Sequence, residues 1–252
     1  MLKHHNILVA ITGGSGSGKT FLADRLQMAF STVATRLSLD NFYLDRSNLP
    51  PSRRAKINFD HPRAIDWPVA EKILRDCRRA APIQIPKYDF ESHVRRSECD
   101  SWIPTPLVLW DGLWLLSRPA MRSLFDLKIF LECPTQLRLE RRLARDISER
   151  GRTAGSVREQ FWRTVFPMHV RYVAPQAAWA DIILQQPSSE SEMAELIEII
   201  RGLPAKAASS HGLAMEPSTS TVPPAAQGRP SCGRLPTHAR SVVPANKSLN
   251  SI

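Results

Sequence analysis

The sequence is poor in several things that would have set its class at once. Its 252 residues include four cysteines, and only 7% of them are aromatic. Cys77, Cys99, Cys133 and Cys232 form no C-x-x-C pair and have no matching histidine cluster, which excludes a zinc ribbon. They are expected to be free thiols, three of them in or near the core. No apolar run approaches the ~20 residues that cross a bilayer, which excludes a membrane-spanning helix. The first apolar run enters a glycine loop rather than a small-residue cleavage site, so no signal peptide is expected and a cytoplasmic location is. Acids are scarce: 24 Asp and Glu against 34 Lys and Arg give a net charge of +10. Such a balance suits nucleic acid or a site that holds polyphosphate. Residues 205–252 carry Lys206, Arg229, Arg234, Arg240 and Lys247 against Glu216, a net +4 that leaves +6 on the rest. This segment is rich in Ala, Ser, Pro and Thr and short of large apolar residues. It cannot offset its ordering entropy by burial and is expected to be a disordered low-complexity tail. Its Asn246-Lys247 lacks the Asp of a guanine-reading Asn-Lys-x-Asp.

What is present is concentrated in Ile7–Leu26. A β-branched run, Ile7–Thr12, leads into Gly13-Gly14-Ser15-Gly16-Ser17-Gly18-Lys19-Thr20. Leu22, Leu26 and Phe30 then recur at helical spacing. Strand, Gly-x-x-x-x-Gly-Lys-Thr and helix is the phosphate-binding P-loop in its required context, which disfavours a Gly/Ser linker that matches by accident. The glycines let backbone N–H groups close around phosphate oxygens, and the helix N-terminus adds its free N–H groups. Lys19 would reach the β/γ-phosphates and the Thr20 hydroxyl would ligate Mg²⁺.

Further along, Val33–Leu39 reads as a strand ending in Asp40-Asn41-Phe42-Tyr43. Ligands of doubly wound sheets sit at the carboxyl ends of strands, so Asp40 is placed to face the loop. It can accept a proton from an attacking hydroxyl or hold Mg²⁺ through water; a turn-capping Asp is the structural alternative. Leu44–Ile57 reads as a mobile loop. Asp66 is a candidate N-cap, with Pro68 in the first turn. Ile83–Asp89 and Trp102–Leu107 read as short strands that prolines confine to edges or a small hairpin. Tyr88 near the end of the first, with Phe90 and His93 just after it, could wall a pocket for a planar ring, although composition alone favours simple packing. The run 106–116 is a second core strand ending in Asp111, so Thr20, Asp40 and Asp111 would converge on one metal, with hard oxygens favouring Mg²⁺. Thr135 is expected to cap a helix to about Arg150, on which Arg138, Arg142 and Arg145 share a face. With Gly151 as a hinge this suits a lid over phosphates, whereas a solvated face is the common fate of such runs. Ser156–Tyr172 reads as helix and Ala180–Leu184 as a final strand. Ser189-x-x-Glu192 is a capping box for a last helix that Gly202 ends.

These motifs, in this order, resemble the uridine kinase (uridine–cytidine kinase) family within the phosphoribulokinase/uridine kinase superfamily of P-loop kinases. The motifs that carry the resemblance are GGSGSGKT, DNFY at 40–43, NFDHP at 58–62, PKYDFESHVR at 86–95, LWDG at 109–112, RRLARDISERGR at 141–152 and PMHVRYVAPQAAWADIIL at 167–184. The resemblance runs from about Asn6 to about Leu184. It implies an α/β P-loop NTPase fold over residues 1–204: a parallel sheet flanked by helices, a small β-hairpin substrate module and an arginine-rich lid at about 138–160. It implies ATP-dependent phosphorylation of the 5′-hydroxyl of uridine or cytidine, with Mg²⁺. By the same resemblance Asp40 is the catalytic base, aided by Lys19 and Arg145. Tyr43, Phe59, Asp60, Tyr88, Phe90 and His93 form the nucleoside pocket. Arg142, Arg145, Arg150, Arg152 and Gln160 are lid and substrate positions. A homo-oligomer is expected on this ground alone. Asp111 stands where the family usually has Glu, Asn41 where Ser is common, and the Trp110–Trp114 run and the tail are outside the pattern. The rivals are a sister kinase for a phosphorylated acceptor such as ribulose 5-phosphate, a GTPase-type switch, and a nucleic-acid-binding ATPase.

Overall fold

A computed structural model describes residues 5–54 and 56–204; the expectation of a disordered tail lies outside the described residues. The elements follow in chain order: β1 (Ile7–Gly13), α1 (Lys19–Phe30), β2 (Ala34–Ser38), α2 (Pro51–Arg54), α3 (Trp67–Arg78), β3 (Ile83–Asp89), β4 (Val94–Trp102), β5 (Leu107–Gly112), α4 (Pro119–Arg122), β6 (Leu127–Glu132), α5 (Thr135–Ser148), α6 (Ala154–Gln160), α7 (Phe166–Met168), β7 (Ile182–Gln185) and α8 (Glu190–Arg201). Five strands form a parallel sheet in the order β2-β5-β1-β6-β7, and β3 and β4 pair separately.

β1 is continuous in apolar residues because it lies between two parallel neighbours and has no wet face. Alternate residues serve opposite cores. Leu8 and Ala10 join Val108, Trp110 and Phe130 beneath α3. Val9 and Ile11 join Leu109, Ile129 and Leu131 beneath α1 and α8, through Leu22, Leu26, Leu196 and Ile200. The period of two in strands thus fixes a three-layer architecture, and every carboxyl end of the sheet points to one side.

Local signals were kept where they rest on a specific hydrogen bond. Asp66 Oδ1 accepts from the Val69 N–H, and Ser189 and Glu192 form the reciprocal capping box. Three expectations need correction. The partner of β3 is Val94–Trp102, not Trp102–Leu107. Pro104 and Pro106 have no N–H to donate, so that stretch becomes a connector into β5. Thr135 is the first residue of α5 rather than its cap; Pro134 holds the cap position, with no side-chain bond. Cys77 and Cys133 are free and buried as expected, but Cys99 is disulfide-bonded. The helical reading of 156–172 extends to Ala154–Trp179, with wide π-type turns on both sides of Pro167, which cannot donate to an ordinary turn.

Candidate active site

The P-loop leaves β1 at Gly13 and enters α1 at Lys19. Its backbone runs through positive φ at Gly16 (+79°) and Gly18 (+95°), which a side chain would resist. A Cβ at Gly16 would also collide with the backbone carbonyl of Arg138. The loop is gripped by α5. Arg142 Nη1 donates to Ser15 Oγ at 2.7 Å, and Arg141 Nη1 donates to the Ser17 carbonyl at 3.2 Å. Arg138 is 1% exposed, with its guanidinium against Gly14 and over the Phe161 ring. The expected lid is therefore docked on the phosphate loop along its first half, where Arg138 and Arg142 are buried, and Arg145 is open to the cavity.

Behind these arginines lies Asp146, fully buried, with ion pairs to Arg145 (2.8 Å), Arg142 (3.4 Å), Arg150 (3.6 Å) and Arg152 (3.7 Å). Gln160 Oε1 accepts from both Arg142 and Arg152, tying α6 to the same group. Sequence reasoning passed over Asp146. Its signal was its spacing: it stands four residues after Arg142 on one face of α5 and four before Arg150, which lies in the turn just past the helix end.

Opposite the arginines are the acids. Asp40 follows β2, and its N–H donates to Ser38 Oγ. Burial in the cavity wall raises its pKa, against the pull of Lys19 and Arg145. Asp60 is raised by burial too, with Arg142 the first opposing charge. Burial lowers Lys19 to about 8, while Asp40 and Asp111 oppose the shift. Lys19 Nζ donates to the Gly14 carbonyl at 2.8 Å. Asp111, at the end of β5, accepts through Oδ1 from Arg36 Nε at 3.1 Å, and burial raises its pKa as well.

The third wall is aromatic. Tyr43 packs against Tyr88 (5.2 Å between centroids) and meets Phe59 and Phe90 edge-on. Phe59 and His93 stack at 4.5 Å with planes 16° apart. β3 and β4 carry Tyr88 and the turn with Phe90 and His93, so the hairpin closes this side.

All three walls enclose one cavity of about 1390 Å³. It is lined by Ser15, Gly16, Gly18, Lys19, Thr20, Asp40, Tyr43, Phe59, Asp60, Tyr88, Phe90, His93, Asp111, Arg142, Arg145, Arg150, Arg152 and Gln160, all expected there. Gly13, Gly14 and Ser17 of the same loop do not line it. Arg96, which the sequence offers as a basic group for a phosphorylated acceptor, also lines it, as do Glu149 and two residues not singled out from sequence, Asp24 and Arg141. The arrangement brings together an anion cradle, a cationic cluster, a carboxylate facing a lysine, and a slot for a flat ring. Among the described residues no helix is long and apolar enough to cross a membrane.

Residues 8–191 match the model of the Phosphoribulokinase / Uridine kinase family. The chain is similar to a uridine kinase of Clostridium tetani, 36% identical over 181 residues, which are 71% of this chain and 87% of that one. It is similar to a uridine kinase of Ligilactobacillus salivarius, 35% identical over 192 residues, 76% and 90% of the two chains. Among solved structures it superposes on a phosphoribulokinase from Rhodobacter spheroides, with a TM-score of 0.55 and 21% identity over 73% of this chain and 70% of that one. The last likeness concerns the fold. Together with the cradle, the arginines and the family match over most of its length, it leads to one conclusion: the chain belongs to the Phosphoribulokinase / Uridine kinase family of ATP-dependent kinases.

Proposed function

We propose that the chain transfers the γ-phosphoryl group of ATP to the 5′-hydroxyl of uridine or cytidine. The observation that carries this reading is the meeting, in one cavity, of the P-loop with the Tyr43–Phe59–Tyr88–Phe90–His93 cluster and Asp60. The names of the curated relatives support the same acceptor.

The residues fit Mg²⁺. Thr20, Asp40 and Asp111 offer hard oxygens to the same cavity. No group of three His, Cys, Asp or Glu side chains among the described residues could hold an ion alone, so phosphate oxygens and water would complete its shell. The ion's contribution when bound is to offset charge on the phosphates. Asp40 takes the proton of the 5′-hydroxyl, and its raised pKa suits a base. Lys19 and Arg145 stabilise charge on the transferring group, and Arg142 and Arg152 position it. Asp60 holds the ribose hydroxyls; the aromatic rings and His93 hold the base. Residues 149–160 complete the lid, and closure excludes water from the transfer.

A phosphorylated acceptor would need free basic groups beside this pocket, and most are engaged. Arg54 Nη1 donates to the Ser92 carbonyl at 2.7 Å. Arg95 is held by Asp66 and by the Tyr43 carbonyl. Arg96 pairs with Asp89 at 3.6 Å. Calorimetric titration tests the acceptor directly. Uridine and cytidine are expected to bind, ribulose 5-phosphate is not, and Phe59→Ala is expected to weaken nucleoside binding about tenfold, the scale of one base–aromatic stack. Binding of ribulose 5-phosphate that Phe59→Ala leaves untouched would reject the nucleoside reading.

A further inference from the structure

Ser38 on β2 lies opposite Asp111 on β5, and two residues earlier, on the same face, stands Arg36. It is the one charged residue of a short strand otherwise made of Ala, Thr, Leu and Ser. Its side chain runs along the sheet toward the site. Nε donates to Asp111 Oδ1 at 3.1 Å, and Nη1 donates to Asp24 Oδ1 on α1 at 2.6 Å. Asp24 and Asp111 both line the cavity, whereas Arg36 does not. The Asp111 side chain is 5% exposed, and its Oδ2 accepts no hydrogen bond among the described residues. The guanidinium fork lets one residue meet two carboxylates at once, which an ammonium group does poorly.

We infer that Arg36 is a positioning residue for the metal side of the nucleotide site: it holds Oδ1 of Asp111 against the sheet, so that Oδ2 alone is left to serve a divalent cation. This rests on the kinase reading above. A short carboxylate free to rotate would present either oxygen, or both, to the ion. Arg36 removes that freedom, and Asp24 fixes Arg36 in turn. Mg²⁺ demands near-octahedral oxygen geometry and releases water reluctantly, so a ligand aimed in advance matters more for it than for a permissive ion. Partners that orient a ligating carboxylate commonly change metal affinity or activity about 10–100-fold when removed.

The test is ADP binding by calorimetry across a Mg²⁺ titration, which needs no turnover. In the wild type, Mg²⁺ is expected to tighten ADP binding. Arg36→Met is expected to raise the Mg²⁺ concentration for half of that effect about tenfold, with metal-free ADP affinity unchanged. In an Asp111→Asn background the same substitution should add nothing, because Arg36 acts through Asp111. Arg36→Lys keeps the charge but not the double grip; it should show a smaller rise in the same direction, and it serves if the methionine variant does not fold. An unchanged or lowered Mg²⁺ requirement, or an equal shift in both backgrounds, overturns the inference and leaves the kinase reading standing. A wild type whose ADP binding ignores Mg²⁺ overturns the metal-nucleotide reading itself, and the inference with it.

Discussion

Asp40→Asn is expected to fold normally and to lose phosphoryl transfer by at least about 10²-fold, the lower range for removing a positioned base. The side chain makes no hydrogen bond among the described residues, so the fold does not depend on its charge. What the charge does is face Lys19 and Arg145 across the cavity. The same group sets the pH profile. Burial raises its pKa, so kcat/KM should fall toward acid with a limb above 3.8, the ordinary value of an aspartate, as Asp40 takes up a proton and ceases to be a base. At the other end Lys19, at about 8 in the free site, loses its charge as pH rises, and kcat/KM for ATP should decline there. Measuring kcat/KM against pH for both proteins checks the assignment. The acid limb should vanish from whatever activity Asp40→Asn retains. Near-normal turnover in that variant would remove Asp40 from the chemistry.

Asp146→Asn should have the largest effect on stability. The substitution leaves four guanidinium groups around a neutral amide, and Arg142 among them is buried with 7% of its side chain exposed. Breaking a buried ion pair from one side costs about 3–5 kcal/mol. Arg145, Arg150 and Arg152 keep 30–45% of their side-chain exposure, and water screens what they lose, which puts the expected cost near the lower end, roughly 3 kcal/mol. For a domain of this size that is a fall of roughly 6–12 °C in Tm. Nucleotide binding should weaken as well, since Arg142 and Arg145 lose the group that aims them. Calorimetric melting decides the point: a Tm within about 2 °C of the wild type would mean that the arginines are held by the P-loop contacts instead.

The parts of this molecule that were legible in its sequence are those in which a local rule and the global fold agree. Ile7–Lys19 reads as strand, loop and helix start because a buried parallel strand needs an unbroken apolar run and the tight loop after it needs glycine. Asp40 and Asp111 could be placed because each ends such a run. The gathering of Tyr43, Phe59, Tyr88, Phe90 and His93 was not legible from periodicity. These residues come from three segments, and only the resemblance joined them before the coordinates did. Pairings across the sheet were hidden for the same reason. Nothing local tells that Arg36 meets Asp111, 75 residues away, although a lone arginine inside an apolar strand signals a partner. The hairpin strand was misplaced because Val94–Trp102 is mostly polar and exposed, so it shows little of the alternation that marks a half-buried strand.

The central claim is that this cavity joins ATP to a pyrimidine nucleoside. Its most direct test is ADP release with Mg-ATP against uridine, cytidine, adenosine, ribulose 5-phosphate and no acceptor. The account predicts turnover with uridine or cytidine and only background release with the others. Turnover with ribulose 5-phosphate and none with the pyrimidine nucleosides would contradict it. The P-loop chemistry would then stand, and the acceptor site would move from the aromatic wall to the arginines beside it.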